Sequence, residues 1–510
     1  NPKPQTPNPK PQTPNPDVGT SVYSSMVSVS ALHLYLVYLL SLLPGLIAQL
    51  CTSSTDPSCA LLIFKDGVHL REFATFDGNM TFKNSTKNSF ADNNFTIYKN
   101  ETFADFVGVL EIDNLLLQVS TTGNNKGGLI IDVPKFLVNI RRSTMRSNLL
   151  LMSAESIIMN LVATESNTLF LYSATNLNFI ESESTTLKGN CNQSTTQFLM
   201  QHAVVSAESA DCSRVDGFKP YASISKKLMN GLFNMANLSK TVWSENILPG
   251  VIGLVSEFIM IEKSTLKGNI IILSEVIDIY KESLLSAQSA GCPYTKNMPG
   301  SPVPFVSHSF DCGLNGGSYG GRGGVGIPER GGETVECIRN GYSRMSVYGN
   351  PLLAMASGAV GSPPNALQRS STAPGAIAIV SDSIRVEEDS RLLAGYEVES
   401  RAGTGLPSSS GGSIALLGRR LVIKAKVIAT GQSVDKDSSS GEGGGGRISI
   451  YKVCWHTDPS YKFMQFQASF MNATAGERQL SQSLDRFYQH LKAEDGSIIA
   501  TPCLPGHSGI

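Results

Sequence analysis

A chain of 510 residues is long enough for several ordinary domains, or for one repeat array whose core grows along a single axis. Charged residues make up only 16% and glycine fills 47 positions, which argues against a helical protein and toward strands and tight turns. The formal net charge of −1 gives no electrostatic footprint for phosphate backbones, so nucleic acid is excluded as a partner.

Residues 1–14 repeat Asn-Pro-Lys-Pro-Gln-Thr-Pro, and residues 1–25 as a whole read as a Pro-rich disordered leader, translated only if initiation precedes Met26. Residues 26–48 follow as a nearly uncharged apolar stretch. With initiation at Met26 it is a secretory signal peptide cleaved near Ala48; with the leader attached it is long enough to act as a signal anchor. Either reading sends the rest of the chain to the cell exterior or surface. Membrane contact is then expected only through that anchor or through a span beyond Ile510.

Nine cysteines suit an oxidising compartment. Cys51 with Cys59, Cys191 with Cys212, and Cys292 with Cys312 or Cys337 are candidate pairs, Cys454 is a further candidate, and connectivity stays open. Cys503 is the odd one out. Seven Asn-x-Ser/Thr sequons begin at Asn79, Asn84, Asn94, Asn100, Asn192, Asn237 and Asn472, and the four within 79–102 suggest a glycosylated face.

From about Ala60 to Tyr451, short apolar or alternating runs such as Leu149-Leu-Leu-Met152 and Ile270-Ile-Ile-Leu273 are broken by Asn, Gly, Ser or Asp, with no sustained helical period. An internal echo organises them. Thr186-Leu-Lys-Gly-Asn190 recurs as Thr265-Leu-Lys-Gly-Asn269, and Ser206-Ala-Glu-Ser-Ala-Asp-Cys212 recurs as Ser286-Ala-Gln-Ser-Ala-Gly-Cys292, at offsets of 79 and 80 residues. Stacked similar units are the sequence signature of a solenoid. Within each copy the two landmarks lie 20 or 21 residues apart, about one coil of a parallel β-helix, with Ile, Leu and Val inward and Ser, Thr, Lys and Glu outward.

The expected fold is therefore all-β, a parallel β-helix over residues 49–300 that continues as glycine-rich coils over 301–455. In the second part Gly375-Ala-Ile377, Gly412-Ser-Ile414 and Gly446-Arg-Ile448 each open a strand. Leu392-Leu-Ala-Gly395 and Val427-Ile-Ala-Thr-Gly431 each end one on a glycine suited to positive φ. The loops 403–412 and 433–446 are expected to bulge from one face. Residues 456–502 form a C-terminal extension in which Leu480, Leu484, Phe487 and Leu491 mark a short amphipathic helix over 477–492, and residues 503–510 open a truncated Cys-rich module.

The ordered series from Ser286-Ala-Gln-Ser-Ala-Gly-Cys292 through Gly316-Gly-Ser-Tyr-Gly-Gly-Arg-Gly-Gly324, Tyr348-Gly-Asn-Pro351, Gly375-Ala-Ile-Ala-Ile379 and Gly443-Gly-Gly-Gly-Arg-Ile-Ser-Ile-Tyr451 resembles a family of large glycine-rich extracellular proteins of plants, protists and sponges. The resemblance covers about residues 150–455. It implies a parallel β-helix of pectin-lyase-like shape, followed by Cys-rich repeats similar to those of ephrin-receptor ectodomains, and it supplies no catalytic residues. The Ser-rich loops 403–412 and 433–446 depart from the family pattern.

No residue set demands a particular chemistry. Gly321-Arg-Gly-Gly-Val-Gly326 fits a dinucleotide fingerprint and Gly316-Gly-Ser-Tyr-Gly320 a nucleophile elbow, but each needs a strand leading into a helix, and Ile327-Pro-Glu-Arg cannot begin one. His308 and His456 have no companions in sequence, and the acidic run Glu387-Glu-Asp389 reads as a solvated turn. No cofactor, metal site or catalytic residue is expected. The function expected is that of a secreted or cell-surface structural or adhesive protein, with extracellular glycans or surface proteins as partners. The alternative is a glycan-binding or polysaccharide-degrading β-helix whose basic pairs Arg141-Arg142, Lys226-Lys227 and Arg419-Arg420 line an exposed sheet.

Overall fold

The computed structural model describes residues 59–65, 69–73, 80–84, 95–99, 108–113, 115–119, 126–186, 191–207, 251–292, 315–326, 347–348, 354, 356–361, 372–397, 401–402, 407–435, 440–452, 464–466, 470–478 and 492–501. The chain divides into two units, Asn1–Asp56 and Pro57–Ile510, and every described residue belongs to the second.

These residues form strands that stack in parallel as three ladders. Ladder A starts at Cys59–Lys65 and passes through residues 126–133, 149–154, 168–173, 191–195, 251–256, 269–274, 376–381 and 413–418 to Arg447–Lys452 and Ser497–Thr501. Ladder B starts at Gly108–Asp113 and ladder C at Leu115–Val119, and they end at Met464–Phe466 and Met471–Asn472. The chain visits them in the order C, A, B and then C again. Thr144–Asn160 and Ala163–Ile180 each contribute one segment to every ladder, and the regular steps are close to 20 residues, as in the bond from Thr164 Oγ1 to Ser184 Oγ. The inward rows are apolar: Ile252, Ile270, Ile377, Ile414 and Ile448 lie in register and are fully buried. Each such side chain contributes about 1.5–3 kcal/mol by leaving water.

Each corner between ladders satisfies its backbone by a different device. Where A bends into B, an inward hydroxyl recurs at Ser173, Thr195, Ser256 and Ser381. Each lies within hydrogen-bond distance of a carbonyl of the preceding layer and of one just past its own bend, as Ser256 does with Thr196 O at 2.9 Å and Phe258 O at 2.8 Å. Where B turns into C, a non-glycine residue adopts positive φ in layer after layer: Arg142, Leu161, Glu181, His202, Lys263, Glu282 and Asp389. The next residue is small and buried. Ser264 Oγ there accepts from Ala203 N–H of the preceding layer at 3.0 Å and donates to Glu262 O at 2.6 Å, so no polar group is stranded. Where C returns to A, the N–H groups of Gly375, Gly412, Gly446 and Gly496 donate to Ala287, Ala394, Ala429 and Ala473 carbonyls at 2.6, 2.6, 2.7 and 2.8 Å.

The excursions between those Ala and Gly residues build a second layer. Parts of residues 315–326, 356–361, 407–412, 440–446 and 473–477 are buried, belong to no ladder strand and cross-link by backbone bonds such as Gly321 N to Gly445 O and Gly444 N to Gly317 O, both 2.9 Å. A Cβ on Gly316, Gly317, Gly321, Gly443 or Gly444 would collide with a neighbouring carbonyl, so glycine is needed there for close approach of backbones. This layer roofs the outer face of ladder A: Ala354 N donates to Ser449 Oγ at 3.2 Å, and the Ser413 hydroxyl donates to Ala356 O.

Several expectations change. Outward positions of ladder A are not uniformly polar: Leu151, Ile271, Leu273, Ala378 and Leu417 are buried, and the uninterrupted apolar runs reflect a sheet covered on both faces. Gly395 and Gly431 do not turn at positive φ; a Cβ on either would strike Thr430 N or Gly443 O. The described parts of the loops 403–412 and 433–446 lie mostly in the buried glycine layer instead of bulging outward. Ser206 and Ser286 share one row through Lys267, but Thr265 shares a row with Glu183 through Val204, so the twin Thr-Leu-Lys-Gly-Asn segments are displaced by three positions. The middle of the expected helix, residues 479–491, lies outside the described residues. Of its ends, Glu477 is not helical and Arg478 bridges to Val434 in parallel.

The first strand of each ladder carries an antiparallel partner on its other edge: His69–Phe73 on A, Phe95–Lys99 on B and Met80–Asn84 on C. A reversed turn thus closes that end of all three ladders, which blunts edges that would otherwise pair with other chains.

Candidate functional site

The densest set of buried polar side chains lies where the glycine layer meets ladder A. Arg447 points outward from its strand but is only 5% exposed, because Tyr319 and Tyr348 cover it. Its guanidinium carbon stands 5.4 Å from the Tyr319 ring centre, Nη2 donates to Tyr348 O at 2.9 Å, and Nη1 donates to Ser497 Oγ at 3.2 Å. The two tyrosine rings are 4.9 Å apart at 56°. Tyr319 OH lies 2.6 Å from Ser413 Oγ, and Tyr348 OH donates to Ser357 O at 2.6 Å. Burial raises both phenols, partly offset by the nearby guanidinium, and pushes Tyr396 up to about 12. Phenols held neutral in this way join segments by hydrogen bonds and stacking.

A second buried group joins three excursions. Glu442 Oε1 lies 3.5 Å from Arg478 Nε, with side chains 5% and 1% exposed. Gly324 leaves room for the carboxylate, since a Cβ there would strike Glu442 Oε2, and the backbone N–H groups of Glu442 and Ala493 also donate to it. Desolvation raises the Glu442 pKa, opposed by the Arg478 charge and less by Lys492. A glycosidase needs two carboxylates flanking a bond they can reach. Glu442 is sealed from solvent and bound on its own side.

The motifs weighed in the sequence take structural places. Ser318 of the elbow-like Gly316-Gly-Ser-Tyr-Gly320 is fully buried and accepts from Gly323 N–H at 2.8 Å, with no strand-to-helix turn. Arg141 and Arg142 stand beside the first layers and Arg419 pairs with Asp382 many layers on; Lys226-Lys227, His308 and His456 lie outside the described residues. Glu387, Glu388 and Asp389 occupy an exposed turn with ion pairs to Arg385 and Lys424. Among the described residues no three His, Cys, Asp or Glu side chains group to hold a metal, and no helix is long and apolar enough to cross a membrane.

Cys191 is fully buried as a thiol that accepts from Gln193 Nε2 at 3.3 Å, and Cys292 is disulfide-bonded. Cys59 opens its strand; Cys51, Cys212, Cys312, Cys337, Cys454 and Cys503 lie outside the described residues. Of the sequons, Asn84 ends a strand, Asn192 lies within ladder A, Asn472 ends ladder C, and Asn79, Asn94, Asn100 and Asn237 fall outside the description. Sequence reading missed the buried Tyr319–Arg447–Tyr348 stack and the Glu442–Arg478 pair, which join residues 94 or more positions apart or buried by glycine-rich segments without periodicity. Comparison of the chain with protein-family models, with curated proteins and with solved structures finds no match.

Proposed function

We propose that the three ladders are the faces of a parallel β-helix, continued by a short helix within residues 479–491, and that the protein is a secreted or cell-surface structural or adhesive molecule without an active site. The observation that carries this reading is how the polar groups are used. Corner hydroxyls, the Ala-to-Gly bonds, the Arg447 stack and the Glu442–Arg478 pair all bind other parts of the same chain. The apolar stretch at 26–48 and the resemblance to glycine-rich extracellular proteins support an exterior location. Glycans or surface proteins would then meet the outer rows of ladders B and C, since ladder A is roofed.

A glycan array combined with a polysaccharide degradation assay on residues 49–510 tests this. Retention of a glycan or of a cell surface without turnover is the expected result. Release of unsaturated or reducing ends would overturn it in favour of a polysaccharide lyase or hydrolase.

A further inference from the structure

Of the sequon asparagines, Asn472 combines a placement that admits a glycan with a side-chain geometry that offers the acceptor nitrogen. Asn472 is the last described residue of ladder C, paired with Ile428 on one side, and no further described strand joins that ladder. It is half-buried on the outward row that runs Lys267, Ser286, Leu393, Ile428, Asn472. Its Oδ1 accepts the Thr474 N–H at 2.9 Å, and no hydrogen bond to Nδ2 is found among the described residues. Thr474, the hydroxyl residue of the sequon, is exposed.

We propose that Asn472 is an N-glycosylation site of the folded protein, an inference that rests on the secretory reading. In the transfer, Nδ2 forms a C–N bond to the anomeric carbon of a pyrophosphate-activated oligosaccharide. The anomeric C–O bond breaks, the pyrophosphate leaves with the bonding pair, and the amide proton passes to a base of the transferase. The product places a large hydrated group beside the last described strand of ladder C, away from the reversed turn at the other end.

The test is expression of the full chain behind a supplied secretory leader in a glycosylating cell, with a leaderless arm in parallel. Secreted protein is treated with peptide N-glycosidase in ¹⁸O-water, and mass spectrometry reads which asparagines became labelled aspartates. Label at Asn472 many-fold above that in a control without the glycosidase is expected, and Thr474→Ala should remove the label at Asn472 while secretion persists. Secreted protein unlabelled at Asn472 overturns the proposal. Failure of the leaderless arm alone to be secreted counts against the exterior location and leaves the site assignment standing.

Discussion

At the scale of single residues, the positive-φ positions are the least expected feature. A non-glycine residue in the left-handed region costs about 1–2 kcal/mol, and a branched aliphatic such as Leu161, at φ 54 and 50% exposed, recovers none of that by burial. Leu161→Asn, which tolerates this conformation, is expected to stabilise the protein by about 0.5–1 kcal/mol, read as a higher urea midpoint. The buried ion pair makes a second prediction. Removing the cation leaves a sealed carboxylate without its counter-charge, so Arg478→Met is expected to cost about 3–5 kcal/mol at neutral pH, and adding Glu442→Gln should restore most of it. The pH dependence follows from the sign of the shift. Because burial holds the Glu442 pKa above its ordinary 4.5, the folded state binds this proton more tightly than the unfolded chain. Its contribution is present below 4.5 and is lost as pH rises through the raised value; denaturation curves of wild type and Glu442→Gln should diverge over that interval.

At the scale of elements, the strands hold together through their corners. Ser264→Ala leaves the buried Ala203 N–H without an acceptor and is expected to cost about 1–3 kcal/mol, whereas Thr185→Ala on an outward row should change little. The C-to-A corner is stricter. Gly375, Gly412, Gly446 and Gly496 stack, and a Cβ on Gly446 would strike the carbonyls of Gly412 and Ala429, neither of which can move without breaking a ladder. Gly446→Ala is therefore expected to abolish the cooperative transition, measured by circular dichroism during urea titration, and Ser497→Ala one layer away should retain it. Three of these four glycines were legible as Gly-x-Ile strand openings. Gly496-Ser-Ile498 repeats the pattern, but the intervening 22 or so residues that bring it under Gly446 hide the period.

At the scale of the whole molecule, the described unit has one end closed by reversed strands and another that finishes on Ser497–Thr501, where Ile498 is 46% exposed at the end of an otherwise buried isoleucine row. Amide exchange should be slowest in residues 269–274 and 376–381, roofed and paired on both edges, and fastest in 497–501 among the ladder strands. Equal protection at the two places would mean that the final strand is paired on its outer edge as well.

The sequence by itself determined that the chain is built of strands, that their inward rows are Ile, Leu and Val, and that similar units recur near 20-residue and Gly-x-Ile spacings, because side-chain alternation and turn residues are local properties. Only the tertiary structure decided that ladder A is buried on both faces, that the glycine-rich tract is a packed layer and not a set of turns, and that the tight B-to-C corners fall on charged or aliphatic residues. Each of those depends on which backbone lies alongside. Glycines selected for the approach of a distant carbonyl look the same in one dimension as glycines selected for a turn, and a left-handed residue whose cost is met by the stacking of neighbouring layers leaves no mark in its own identity.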